Sequence, residues 1–233
     1  MHKRERLVAP SKANEKGRER PLMVWEPVPE FCIPDERAKL EEAMQHVDVL
    51  SPNTEELLGF FMSEGHACSE EKAANMLLSR GIGARQEGAL VVRQGSKGCT
   101  AYLREGKFHL QSYHLKDGEL PSSGAVDPTG GGNAFLGGLA VAMTGTVTPS
   151  MGVLDSLLVE VKSHARLLGA LIYATIAASF VIEQAGMPRL SRNEGGQGKW
   201  NGELFEDRLA TYLKREHDYI TQQLTSHEGS ISS

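Results

Sequence analysis

"AVDPTGGGNAFLGGLAVAM", residues 125–143, decides how this chain folds. Three consecutive glycines, Gly130, Gly131 and Gly132, separate a short apolar run from a segment that reads as a helix. Glycine costs backbone entropy, so a folded chain keeps three together where their freedom is used. A strand-to-helix turn in an α/β sheet is such a place, because ligands bind beyond the carboxyl ends of the strands. On that reading the N–H groups of Gly131, Gly132 and Asn133 are free at the helix start, with the positive end of the helix dipole behind them. That is an anion hole for a phosphate, or for charge that develops during group transfer. The competing reading is a tight turn that only lets strand and helix pack closely. No Gly-Lys-Ser/Thr follows, so the turn is not a Walker P-loop.

Working outward, short apolar strands alternate with helical spacing. "PLMVWEPVP" (21–29) reads as a buried strand ended by prolines. "DERAKLEEAMQHV" reads as a helix with Leu40, Ala43, Met44 and Val47 on one face. "VDVL" is a short strand, "SPNTEELLGFF" opens a helix, and "EEKAANMLLSRG" is a helix closed by Gly81. "ALVVRQGSKGCTAYLREGKFHLQSY" holds three strands joined by glycine turns at 95–98 and 104–107. Residues 152–185 read as mostly helical, "SRNEGGQGK" (191–199) as a flexible linker, and residues 200–233 as an amphipathic helix and tail. This alternation predicts an α/β layered fold with a largely parallel sheet.

Composition narrows the partners. The 233 residues, 40% hydrophobic and 24% charged, have the make-up of a globular protein. A net charge of -5 gives no general reason to expect nucleic acid. Residues 1–20 run the other way, with seven Lys/Arg against three Glu, and read as a basic solvated terminal segment without a secretory or transit pattern. Cys32, Cys68 and Cys99 form no metal or disulfide pattern, which predicts a reducing, cytoplasmic location. The longest apolar run, 167–182, falls short of the roughly 18 residues of a membrane span and follows Lys162, His164 and Arg166, so no membrane is expected. His46, His66, His109 and His114 lack metal spacing and read as surface or strand residues.

"VDPTGGGNAFLGG" resembles the C-terminal signature of the ribokinase-like (PfkB) carbohydrate kinases, D-T-x-G-A-G-D-x-F-x-G-G, through Asp127, Thr129, Gly130, Gly132, Phe135, Gly137 and Gly138. "LSPNTEEL" resembles the family's N-x-x-E element, with Asn53 and Glu56 in place. "VVRQGSKGC" resembles its V-x-T-x-G-x-x-G turn, with Gly95 and Gly98 in place. "ALIYATIAASFVIEQAGMP" looks like the small-residue helix beside the adenine pocket. The resemblance runs from about residue 21 to 190. It implies the C-terminal portion of a three-layer α/β/α domain, with the sugar-binding half and β-sheet lid lying outside this stretch.

What the resemblance implies is ATP-dependent phosphoryl transfer to a sugar hydroxyl. Gly130, Gly131 and Gly132 would form the anion hole. Asn53 and Glu56 would organise Mg2+ through water. Gly95 and Gly98 would contact the nucleotide, and Asp127 and Thr129 would support the turn near a monovalent-cation site of some relatives. Positioning and charge neutralisation carry most of such a transfer, with a carboxylate taking the hydroxyl proton.

Three positions depart from the family pattern. Asn133 stands where the catalytic Asp belongs; an amide can bond a hydroxyl but cannot take its proton, a loss of about 10²–10⁴-fold in rate. Asn133 also reads as a helix N-cap. Arg93 replaces the usual Thr, and Thr175 stands where relatives often carry Asn or His beside the base. Asn53 and Glu56 also fit a helix-capping pair, and Lys97 reads as a solvated turn residue. The alternative function is therefore a catalytically impaired pseudokinase or nucleotide-binding module, with a truncated product, a homo-oligomer or a completing partner as the expectation for the missing half.

Overall fold

The computed structural model describes residues 20–62, 68–114, 124–145 and 165–228, with side chains through residue 223. The basic segment expected over 1–20 therefore lies, except for Arg20, outside the described residues, as do His66, Lys162 and His164. Two compact units divide the chain, residues 1–92 with 102–105, and residues 93–101 with 106–233.

The first unit contains the parallel strands β1 (Val24–Trp25) and β2 (Val49–Leu50) and nearly all of β3 (Ala89–Arg93). Val24 pairs with Val49 and Val49 with Ala89, the next residues following in register. Strand β1 is shorter than the apolar run suggests because Pro27 and Pro29 have no amide to donate, and a 3-10 turn begins at Pro29. Helix α1 (Arg37–Ala43) is flanked by 3-10 turns and buries Leu40. Helix α2 spans Thr54–Gly59 and α3 spans Glu70–Arg80, where Gly81 at φ +83° ends the helix. Leu40, Met44, Leu57, Ala73, Ala74 and Leu77 meet Leu50, Leu90 and Val92 in one core. Strand residues 89–92 are buried without alternation, the mark of a parallel strand covered on both faces.

The second unit holds the start of β4 (Cys99–Leu103), then β5 (Gly106–Leu110), α4 (Gly131–Met143) and α5 (Ala165–Val181). The principal sheet runs in the order β1-β2-β3-β4-β5. Helices α4 and α5 approach closely because their contact is built from small residues: a Cβ at Gly138 would lie 3.0 Å from the Ala177 Cβ and 3.1 Å from the Ala174 Cα. Among the described residues no helix is long and apolar enough to cross a membrane.

The segment expected as a linker is instead paired. Strands β6 (Leu190–Arg192), β7 (Gly198–Trp200) and β8 (Glu203–Leu204) form an antiparallel sheet, with Ser191 opposite Lys199. Asn193 makes the turn: its Oδ1 accepts from the Gln197 N–H at 2.9 Å and its carbonyl from the Gly196 N–H at 2.9 Å. Gly196, at φ +78°, serves that turn, so what looks like linker composition is hairpin chemistry.

The closing helix α6 (Phe205–Glu228) lies along β5. Its Gln223 side chain accepts from the His109 N–H at 2.7 Å and donates to the His109 carbonyl at 3.0 Å. A side-chain amide thus occupies the ladder position that an edge strand leaves open.

Candidate functional site

The glycine turn is not preceded by a strand, contrary to the reading of the sequence. Residues 124–130 are irregular, and the N–H groups of Val126 and Asp127 both donate to the Ile182 carbonyl, at 2.7 and 3.1 Å. Two apolar residues before a proline are too few to enter a ladder, and the end of α5 takes their amides instead.

Asn133 is not the N-cap. Gly130 holds that place at φ +83°, its carbonyl accepting the Ala134 N–H at 2.9 Å, and α4 begins at Gly131. Asn133 is the third helical residue and is exposed. Of the three amides expected to be free, that of Gly131 donates back to the Pro128 carbonyl at 3.1 Å. Among the described residues, the N–H groups of Gly132 and Asn133 donate to no protein acceptor, as first-turn amides of a helix do.

Each glycine answers a different demand. Gly130 supplies the left-handed φ. At Gly131 a Cβ would stand 2.8 Å from the Ile182 Cγ2, and at Gly132 it would collide with Nη1 of Arg93. The Arg93 guanidinium therefore lies directly against the backbone of the turn. Asp127 closes the approach: its Oδ1 accepts from the Thr129 N–H at 2.9 Å, and the Thr129 side-chain and backbone bonds hold the carboxyl below its ordinary range.

Arg93 leads into the second glycine turn. The Gln94 N–H donates to Gly98 O at 2.8 Å, and the Gly98 N–H to Gly95 O at 3.0 Å. Gly95 sits at φ +60° and Gly98 at φ +96°, and a side chain at 98 would run into the Leu110 carbonyl. Two carbonyls of the turn have partners: Lys97 O lies 2.8 Å from His109 Nε2, and Ser96 O lies 2.8 Å from Ser112 Oγ, whose one proton it shares with the His114 carbonyl at 2.6 Å. Lys97 itself is exposed.

Thr175 is buried in α5, where its hydroxyl donates to the Leu171 carbonyl at 2.9 Å. It also bonds the Cys99 thiol, which burial pushes up to about 12 against the opposing pull of Thr175 and the Leu110 backbone.

Asn53 and Glu56 belong to the first unit, where they form a complete capping box. The Glu56 N–H donates to Asn53 Oδ1 and the Asn53 N–H to Glu56 Oε2, each at 2.8 Å. Glu56 is 6% exposed, and its charge adds to burial in pushing the Cys32 thiol up to about 11. Contact with a metal through water leaves both cap bonds intact, and Mg2+ characteristically keeps several waters. Among the described residues no cluster of three or more His, Cys, Asp or Glu forms an all-protein metal cage.

The second unit thus brings Arg93 to Gly132 and contains the turns at 95–98 and 127–133 and Thr175. The sequence alone missed Ile182, His109 and Ser112 as the residues that hold these turns. No local spacing carries that signal, since each partner is distant along the chain.

Among solved structures, a ribokinase from Thermotoga maritima is similar at TM-score 0.52 and 23% identity, covering 84% of this chain and 50% of that one. A candidate ribokinase II from E. coli in complex with ATP and Mg2+ is similar at TM-score 0.50 and 20% identity, covering 83% and 49%. These likenesses show a ribokinase-like α/β fold. An uncharacterized protein of Schizosaccharomyces pombe is 31% identical over 223 residues, 91% of this chain and 54% of the relative. Protein MAK32 of Saccharomyces cerevisiae is 32% identical over 205 residues, 84% of this chain and 50% of the relative. The chain spans about half the length of the curated relatives it matches. The family model for pfkB family carbohydrate kinases matches residues 14–190, and the chain belongs to that family.

Proposed function

We propose that this chain carries the nucleotide-side portion of an ATP-dependent, pfkB-type carbohydrate kinase that transfers a phosphoryl group to a sugar-like hydroxyl. One observation carries the reading: the Arg93 guanidinium lies against Gly132, and in that same first turn of α4 the N–H groups of Gly132 and Asn133 donate, among the described residues, to no protein acceptor. Two N–H dipoles and a cation suit the spread negative charge of a transferring phosphoryl group.

In this reading Gly130, Gly131 and Gly132 shape the anion hole. Arg93, Gly95, Gly98, Asp127, Thr129 and Thr175 form the nucleotide side, Thr175 acting from beneath the surface. Asn53 and Glu56 hold the water shell of Mg2+, which supplies charge neutralisation on the phosphates when bound. During transfer the hydroxyl oxygen bonds to the γ-phosphorus, the bond from that phosphorus to the departing ADP oxygen breaks, and the hydroxyl proton must find an acceptor.

Asn133 favours a second reading, a pseudokinase that binds nucleotide without turnover. Its amide can orient the hydroxyl, but it offers no site for the proton.

The test uses the full-length protein and its Asn133→Asp variant. Mg·ATP binding is measured by calorimetry and ADP release with a panel of sugars. Turnover in the unchanged protein establishes the kinase and removes the pseudokinase. Binding with turnover only in the Asp variant establishes the disabled base. Absence of Mg·ATP binding sinks both readings.

A further inference from the structure

We infer that His109 is a positioning residue for the nucleotide-side turn and that Tyr219, on the C-terminal helix, sets its proton. The inference rests on the reading of residues 95–98 as a nucleotide contact. His109 Nε2 lies 2.8 Å from the Lys97 carbonyl, and His109 Nδ1 lies 2.9 Å from the Tyr219 hydroxyl. A carbonyl oxygen only accepts, so Nε2 carries the proton and donates it. On a neutral ring Nδ1 then accepts, and the Tyr219 O–H donates to it. The Tyr219 ring meets the imidazole edge-on, at 6.0 Å between centroids and 89° between planes, which fixes the ring's rotation. Gln223 fixes the His109 backbone from both sides.

A continuous line of hydrogen bonds therefore runs from α6 through His109 to the carbonyl immediately before Gly98. The neighbouring Ser96 carbonyl lies 2.8 Å from Ser112 Oγ, whose one proton it shares with the His114 carbonyl. On its other side the turn is open, for among the described residues nothing lies within 4 Å of where a Cβ at Gly95 would be. A loop anchored through two carbonyls and open at a glycine is preorganised to receive a ligand without first losing its own freedom. Tyr219 and Gln223 lie beyond residue 190, where the family match ends, so this brace comes from outside the matched segment.

The test measures the Mg·ATP dissociation constant of the full-length protein and three variants, with circular dichroism and melting temperature as folding controls. His109→Phe keeps ring volume and removes the donor. His109→Gln keeps an N–H donor at nearly the Nε2 position. Tyr219→Phe removes only the hydroxyl. The expected result is a dissociation constant raised about five- to tenfold by His109→Phe, the scale of one lost hydrogen bond. His109→Gln should restore it to within about twofold, and Tyr219→Phe should raise it about threefold with little change in melting. Wild-type binding that His109→Phe leaves unchanged, or that His109→Gln fails to rescue in a folded protein, overturns the positioning role alone. If His109→Phe does not fold, an unchanged constant in Tyr219→Phe overturns it instead. A wild-type protein that binds no Mg·ATP overturns the nucleotide reading and the positioning role with it.

Discussion

Nη1 of Arg93 occupies the space that a Cβ at Gly132 would fill, so the cation ending β3 and the second residue of α4 are fitted to each other. The two glycine turns are joined through this contact, and its consequences are testable.

Gly132→Ala introduces a methyl at a helical, non-strained position, where alanine is favoured over glycine by about 1 kcal/mol. The obstacle is the end of a long side chain, which can swing away. The expected outcome is a melting temperature equal to or above wild type, together with Mg·ATP affinity weakened several-fold by the displaced guanidinium. Calorimetry and thermal melting of one preparation check both halves.

Gly98→Ala should behave in the opposite way. Its φ of +96° is strained for alanine, and its Cβ would meet the Leu110 backbone, which cannot swing aside. Strain of this kind costs about 1–3 kcal/mol before the collision is added. Urea unfolding should therefore show a loss of at least about 2 kcal/mol. Wild-type stability in this variant would contradict the turn geometry.

Asn133→Asp places a negative charge in the first turn of α4, beside the positive end of the helix dipole. It should stabilise the fold by roughly 0.3–1 kcal/mol at low salt, and added salt should erase the gain. This effect is read by melting temperature and is independent of whether the new carboxylate restores turnover.

Arg208 ties the C-terminal segment to the end of α5. Its guanidinium lies 2.8 Å from Glu183 and 2.5 Å from Glu203, donates to Ser179 Oγ at 3.1 Å, and stacks 3.6 Å above the Phe180 ring. With its side chain 4% exposed, replacement by Ala leaves two carboxylates partly buried without their cation. The expected cost is about 3–5 kcal/mol by chemical denaturation. Arg208→Lys should recover only part of it, because an ammonium cannot bond both acids in plane and stack on the ring.

His114 gives a pH dependence of known sign. Burial lowers its pKa, against the weaker opposing influence of the Ser179 carbonyl and Glu183, while Arg208 and Arg215 push in the same direction as burial. The unfolded chain takes a proton at about pH 6.5, and the folded chain does so only at lower pH. Stability is therefore constant above the ordinary histidine value and falls as pH drops below it toward the folded pKa. Denaturant midpoints measured across pH 5 to 8 should show this decline, and His114→Gln should flatten it. A decline that persists undiminished in the variant assigns the effect to other groups.

Much of the architecture was legible in the sequence because it is decided over a few residues. The Asn53–Glu56 capping box needs only a three-residue spacing, and the structure forms it with both bonds in place. Gly81, Gly95, Gly98 and Gly130 all sit at positive φ, where their lack of a side chain is used. Of the four residues expected on one helical face, Leu40 and Met44 turn inward and Ala43 is half-buried, while Val47 is buried from an extended position beyond the 3-10 turn that ends the helix. Where local reading failed, a distant partner had intervened. Asn133 has the chemistry of an N-cap, but the left-handed Gly130 started the helix three residues earlier. "SRNEGGQGK" has the composition of a linker, but pairing between 190–192 and 198–200 made it a hairpin.

The sequence by itself determined the succession of strands and helices from β1 to β5, the family signature and the places where the backbone must bend, since steric limits on φ and first-neighbour hydrogen bonds are written residue by residue. Tertiary structure decided which groups face each other: Arg93 against Gly132, the Ile182 carbonyl beneath Val126 and Asp127, and Tyr219 behind His109. These contacts join residues far apart along the chain, and their geometry follows from how helices of given bulk pack on a sheet. No spacing rule in one dimension contains that information.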